Sequence, residues 1–274
     1  MVAAGTWVLT RLAAALQAAT VASWVLAVAT AATMIYAAFT AFLQTDVKRI
    51  LAWSTVSQVA VMLSPLAVAA TAIDGQGAAA GHLFSHAIFK ALLFLTVGWL
   101  AVLAGSTAVR DLSGVGASSP FAKAVWGLGL LSLAGVPFTV GGLSKEHVIA
   151  VAAWTDGDGP GLRQGMVPAA LLVTVAMTAA YATRAYLIVA RPRTVPGAEA
   201  GPAPRTGLLA RATLVALAVA TLAVAGGLGW VIYLGGKQAY KLPNENLVDH
   251  IVALCEQKAA EIEATRGTPA EAAE

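Results

Sequence analysis

Apolar residues in this chain run in blocks of membrane length, and the charged residues gather between the blocks. A helix that crosses a bilayer needs about 20 mostly apolar residues. On that criterion the pattern predicts about seven membrane segments. They run from Met1 to Gln17, Thr20 to Leu43, Lys48 to Ala72, Ala78 to Ala104, Pro120 to Trp154, Gly165 to Ala190 and Leu208 to Leu234. The expected fold class is all-α integral membrane, with a transmembrane domain over 1–234 and a polar tail over 235–274. After Pro243 the tail reads as an amphipathic helix. Asn246 is placed to cap it, and Leu247, Ile251, Leu254 and Cys255 make an apolar stripe. Such a helix is either solvated or docked on a neighbouring subunit, and the residues from Thr268 onward read as disordered. The first segment has no basic stretch ahead of its apolar run, which argues against a cleaved leader.

The fifth segment decides the topology. As one straight helix it would be about 52 Å long, against a bilayer core of about 30 Å. Its middle reads Ala134-Gly135-Val136-Pro137-Phe138-Thr139-Val140-Gly141-Gly142-Leu143-Ser144-Lys145. Pro137 has no amide hydrogen to donate, and the flanking glycines permit irregular backbone. The segment is therefore two spans, or one discontinuous span whose unwound centre lines a cavity. A single broken crossing gathers Lys48, Arg49, Arg110, Lys123, Arg191, Arg193 and Arg205 on one side of the membrane. Asp74, Asp156 and Asp158 with Arg163, and a net-negative tail then lie on the other. The positive-inside rule favours that arrangement, with Met1 and the basic loops cytoplasmic and the tail outside.

Composition agrees with the pattern. The chain is 58% hydrophobic and 11% charged, where soluble domains carry about 25% charged residues. It cannot cover itself with a polar surface and needs lipid or protein neighbours around it. The net charge is +3, with no basic run interleaved with aromatics, so nucleic acid is not an expected partner. The lone Cys255 allows no intrachain disulfide and belongs to no metal-ligand cluster. Neither a G-x-G-x-x-G nor a Walker loop is present, so no cofactor and no metal are expected in this chain.

The candidate chemistry lies inside the apolar segments. His82, His86 and Lys90 are spaced i, i+4 and i+8. Each step of four residues drifts only about 40° around a helix, so the three share one face. An ionisable group at membrane depth is costly and faces water or a partner. Histidine exchanges protons near neutrality, and three such groups in register favour a proton relay. The competing reading has the histidines satisfying backbone carbonyls and Lys90 reaching the interface. Lys145 stands at the end of the break in segment five, with Glu146 beside it as the group that would tune its proton affinity. Lys48 is either part of the proton path or a membrane anchor. Ser54, Thr55, Ser57 and Gln58 either support a water file or join helices by hydrogen bonds. Arg184 and Arg211 read as anchors near the cytoplasmic ends of their segments.

Three of these stretches carry a resemblance. Gln44-Thr45-Asp46-Val47-Lys48-Arg49-Ile50-Leu51-Ala52-Trp53-Ser54-Thr55-Val56-Ser57-Gln58 resembles the loop-plus-helix signature of antiporter-like membrane subunits. His82-Leu83-Phe84-Ser85-His86-Ala87-Ile88-Phe89-Lys90 resembles the next signature. Ala134-Gly135-Val136-Pro137-Phe138, followed by Ser144-Lys145-Glu146, resembles a third, all in the family's order. The set is most similar to the subunit 5 (L) type of proton-pumping NADH–quinone oxidoreductase, with Mrp-type sodium/proton antiporters and membrane hydrogenases as close relatives.

The resemblance implies an inverted-repeat fold in which a lysine on a broken helix sits at the heart of each proton half-channel. Lys145 then corresponds to the broken-helix lysine of the second repeat. His82, His86 and Lys90 correspond to the central hydrophilic axis, and Lys48 to a polar residue near the cytoplasmic mouth. Met1-Val2-Ala3-Ala4-Gly5 resembles the interior of a family helix, so the first repeat is expected to lie outside this chain. Gly141-Gly142-Leu143 stands where the family usually carries bulkier aromatics, and His147 is atypical. The implied function is proton translocation within a respiratory NADH–quinone oxidoreductase (complex I) type complex. Its place would be the cell inner membrane, its partners other membrane subunits and lipid, with no redox cofactor in this chain. The alternatives are a component of an Mrp-type antiporter or membrane hydrogenase, or a truncated, non-conducting structural protein.

Overall fold

A computed structural model describes residues 2–117, 119–153, 162–191 and 207–239. The expected tail helix, Asp156, Asp158, Arg193 and Arg205 lie outside the described residues. Residues Met1–Gly229 form one compact unit. In the following unit, Trp230–Glu274, the described part is the end of the last helix.

The described residues are helical throughout, apart from turns and one antiparallel bridge between Asp46 and Ala108. In chain order the helices are α1 (Val2–Arg11), α2 (Ala13–Ala18), α3 (Thr20–Leu43), α4 (Val47–Leu63), α5 (Pro65–Val68) and α6 (Ala72–Ala104). They continue with α7 (Val109–Leu112), α8 (Pro120–Ala134), α9 (Val140–Ala153), α10 (Leu162–Ala190) and α11 (Leu208–Ala239). Among the described residues four stretches are long and apolar enough to cross a membrane: Thr20–Leu43, Val47–Val68, Ala72–Ala104 and Leu162–Ala190.

The local chemistry of each helix end explains its position. Asp46 caps α4 by accepting from the Arg49 amide at 2.9 Å. Thr71 caps α6 by accepting from the Asp74 amide at 3.2 Å, and its hydroxyl donates to the Asp74 carboxylate at 2.6 Å. This cap starts α6 at Ala72, earlier than the Ala78 expected from apolar pattern alone. Asp74 is thus in the helix's first turn, where its charge suits the helix dipole. The third segment is divided at Ser64, because Pro65 opens a new short helix. The first is divided at Leu12.

Segment five is broken where Pro137 and its glycines predict. The α8 helix ends at Ala134, and Gly135 adopts φ +90°, a left-handed cap that favours glycine. The Gly135 and Val136 amides close the last turn onto Leu131, at 3.1 and 3.0 Å. The two halves, α8 and α9, would each be about 21–22 Å long at helical rise. Neither alone matches a bilayer core of about 30 Å, which fits the discontinuous reading. Gly142 lets α9 start tight against the break, for a β-carbon there would collide with the Val136 carbonyl. Gly141 likewise lies against the Ser132 carbonyl and donates its amide to the Ser132 hydroxyl at 3.0 Å. Glycine at these two positions lets the backbones of the two half-helices meet.

Packing then places the site. Helix α6 lies against α4, α8 and α9, while α10 covers α3, α4 and α8. One core joins Phe89 and Leu93 of α6 to Trp126 of α8 and Tyr181 of α10. The Trp126 indole donates to the Ala185 carbonyl at 3.1 Å, fixing α8 to α10.

Candidate functional site

The spacing of His82, His86 and Lys90 on α6 turns all three inward, at 0%, 7% and 5% exposure. The two imidazole rings lie 6.3 Å apart between centroids. His82 is held between two other helices. Its Nδ1 lies 2.9 Å from the Ser144 hydroxyl of α9, and its Nε2 lies 3.1 Å from the Gln58 side-chain oxygen of α4. Each ring nitrogen thus faces one side-chain oxygen, and the Ser144 hydroxyl also donates to the Gly141 carbonyl at 3.3 Å.

Lys90 reaches α4 at a different level. Its ammonium donates to the Leu51 carbonyl at 2.9 Å and to the Ser54 hydroxyl. Ser54 and Gln58 are four residues apart, one turn of the same face of α4. The polar residues of α4 therefore divide their work. Ser54 and Gln58 contact the ionisable line, while Ser57 donates to the Met34 carbonyl of α3 at 2.9 Å and joins helices.

Lys145 is buried at 3% exposure and donates to the Leu133 carbonyl, in the last turn of α8. A helix's final carbonyls lack intrahelical partners, so the break supplies this acceptor. A pocket of about 430 Å³ borders Lys145, Gly135, Pro137, Gly142, Glu146 and Val175. Within the site, the Gln58 amide nitrogen, His86 Nε2 and the Tyr181 hydroxyl are buried without a direct hydrogen bond.

Four further candidates lie outside this buried line. Glu146 is exposed and forms no ion pair with Lys145 among the described residues. Adjacent helical residues point about 100° apart, so while Lys145 turns inward Glu146 turns out. Lys48 is exposed in the first turn of α4, outside the buried line, because the inward face there belongs to Val47, Ile50 and Leu51. Arg184 donates to the Phe42 and Gln44 carbonyls at 3.0 and 2.9 Å, closing the end of α3. Arg211 lies 4.9 Å above the Phe121 ring. Two residues of the site were not assigned a role from sequence. Ser144 sat within a quoted motif. Tyr181 had a readable signal, the i, i+4, i+7 stripe Thr174, Thr178, Tyr181 along apolar α10.

Comparison with known proteins places this geometry. Residues 1–157 match the family described as NADH:quinone oxidoreductase/Mrp antiporter, TM. The chain is 33% identical over 192 residues to NADH-quinone oxidoreductase subunit L of Neisseria meningitidis serogroup B, covering 69% of this chain and 27% of the relative. It is 36% identical over 155 residues to a Na(+)/H(+) antiporter subunit of Bacillus subtilis, covering 53% of this chain and 19% of that relative. The chain thus spans about a quarter or less of the length of these curated relatives. Among solved structures it is similar to a chain of the Mrp complex from Dietzia sp., with TM-score 0.61 and 26% identity over 81% of this chain and 47% of that one. With its all-helical fold and its broken helix, the chain belongs to the NADH:quinone oxidoreductase/Mrp antiporter transmembrane family.

Proposed function

We propose that this chain carries protons across the cell inner membrane as part of a respiratory NADH–quinone oxidoreductase type complex, with other membrane subunits as partners. The observation that carries the reading is the buried polar line. It runs from Lys90 and Ser54, up one turn of α4 to Gln58, across His82 to Ser144, and so to the break where Lys145 sits. Each charged group on it is an ammonium or an imidazole, and each can hold a proton and pass it on. Two helices and a broken third supply the line, and its members turn into the bundle, not toward the membrane surface. An inert bundle would be more stable with leucine at these positions.

Proton pumping into inverted membrane vesicles tests the reading. Lys145→Ala and Lys90→Ala, each in the assembled complex, are expected to abolish pumping while assembly holds. If both variants assemble and pump normally, the lysines are structural and the reading fails. The second reading, a component of an Mrp-type sodium/proton antiporter, is favoured by the similarity to the Bacillus subtilis antiporter protein and the Dietzia complex. Sodium-driven proton movement in vesicles without any electron donor would select it.

A further inference from the structure

The break leaves irregular backbone on the surface of this chain. Val136, Pro137 and Phe138 are all exposed. Phe138 is 87% exposed and adopts φ +67°, a left-handed conformation that is strained for a bulky aromatic residue. The hollow beside this stretch is lined by Pro137, by Glu146 of α9 and by Val175 of α10. Val175 stands near the middle of α10, a helix long and apolar enough to cross the membrane, so the hollow lies near mid-bilayer. Glu146 is exposed at its rim, and no cation pairs with it among the described residues.

Lipid is a poor cover for this face. Irregular backbone at membrane depth occurs only where protein or a water-filled cavity borders it, and a carboxylate at that depth calls for a partner. A second copy of the chain fits no better. A two-fold contact centred on the hollow would set Glu146 against Glu146. Among the described residues the exposed cations are Arg11, Lys48, Arg49, Arg110, Arg191 and Arg211, and each stands within about one turn of a helix end. Lys90 and Lys145 lie deeper along their helices but are buried. We propose that this face docks a transmembrane helix of a neighbouring membrane subunit, which covers Val136–Phe138 and presents a lysine or arginine to Glu146. The Phe138 ring, standing clear of its own chain, packs against that helix. The proposal rests on the chain's place among other membrane subunits in the proposed function, and needs no proton carriage.

The first measurement replaces Phe138 by photoreactive p-benzoylphenylalanine and irradiates native membranes. The expected adduct joins position 138 to a spanning helix of another membrane subunit, with a lysine or arginine within about one turn of the attachment point. An adduct with lipid alone, with this chain or a second copy, with a helix lacking that cation, or no adduct, overturns the proposal. Glu146→Lys is then expected to weaken retention of the captured subunit on the order of a hundredfold, and exchanging that subunit's cation for glutamate restores it. Normal retention in Glu146→Lys overturns the ion pair. Should Glu146→Lys fail to accumulate even beside the exchanged partner, the cross-link decides. Lys90→Ala and Lys145→Ala run alongside and are expected to retain the subunit. If these two lose pumping while Glu146→Lys keeps its partner, the docking falls and the proposed function stands. If Glu146→Lys sheds its partner while both lysine variants pump normally, the docking stands and proton carriage falls.

Discussion

Gly142→Ala tests whether the break in segment five is held by close backbone contact. The added β-carbon would meet the Val136 carbonyl, with the Pro137 nitrogen 3.2 Å away. These are main-chain atoms of the break itself and cannot rotate aside. The Gly142 amide also donates to the Thr139 hydroxyl at 3.1 Å, and that hydroxyl donates to the Val136 carbonyl at 2.7 Å, so the turn moves as a unit. Overpacking a tight site costs about 1–3 kcal/mol, and contact with rigid backbone argues for the upper end. Alanine recovers up to about 1 kcal/mol as a better helix former, leaving about 2 kcal/mol lost. At about 2–4 °C per kcal/mol for a chain of this size, the thermal midpoint falls by about 4–8 °C. Gly98→Ala is the control: its β-carbon would meet nothing within 4 Å, so it is neutral or mildly stabilising. The assay is the thermal midpoint of the assembled protein, with proton flux read in parallel, because displacing the start of α9 also moves Lys145 from the Leu133 carbonyl. Equal midpoints for the two alanine variants would refute the reasoning.

Two further outcomes concern Arg184 and Lys48. Arg184→Met removes two bonds to the end of α3 and is expected to cost about 1–2 kcal/mol, discounted from the range for charged donors because the group is half-exposed. Faster hydrogen exchange at the Gln44–Asp46 turn, with little change elsewhere, would register it. Lys48→Ala, at an exposed position outside the buried line, is expected to leave proton flux unchanged in the vesicle assay. A large loss would return Lys48 to the path.

Much of the fold was legible because each feature had a local cause. Membrane-length apolar runs mark the long helices, and the i, i+4, i+8 spacing of His82, His86 and Lys90 fixes their shared face whatever packs against it. Pro137 with Gly135 marks the break for the same reason. Other features are not local. The cap that begins α6 at Thr71 lies in a stretch of ordinary hydropathy, so apolar counting placed the start too late. Glu146 was assigned to Lys145 by adjacency, although neighbours on a helix face different ways. The clamp by Arg184 joins residues about 140 positions apart, a distance no sequence window contains. Tyr181 was missed because an aromatic in an apolar helix reads as core until the polar groups opposite it are known.

The surroundings of the two lysines bear on why a break is needed at all. Neither Lys90 nor Lys145 pairs with a carboxylate among the described residues. Each is solvated by dipoles instead: Lys90 by the Leu51 carbonyl and Ser54 hydroxyl, Lys145 by the Leu133 carbonyl. A carboxylate at bonding distance would hold the proton, and its departure would strand a buried negative charge, which is costly to leave unpaired. Carbonyl and hydroxyl dipoles steady an ammonium and strand no charge when its proton leaves. An intact helix engages its carbonyls in its own ladder, so free ones at membrane depth must come from somewhere else. At Lys90 the source is a carbonyl that takes an additional donor. At Lys145 it is the end of α8, which exists inside the membrane only because Pro137 and the glycines interrupt the helix.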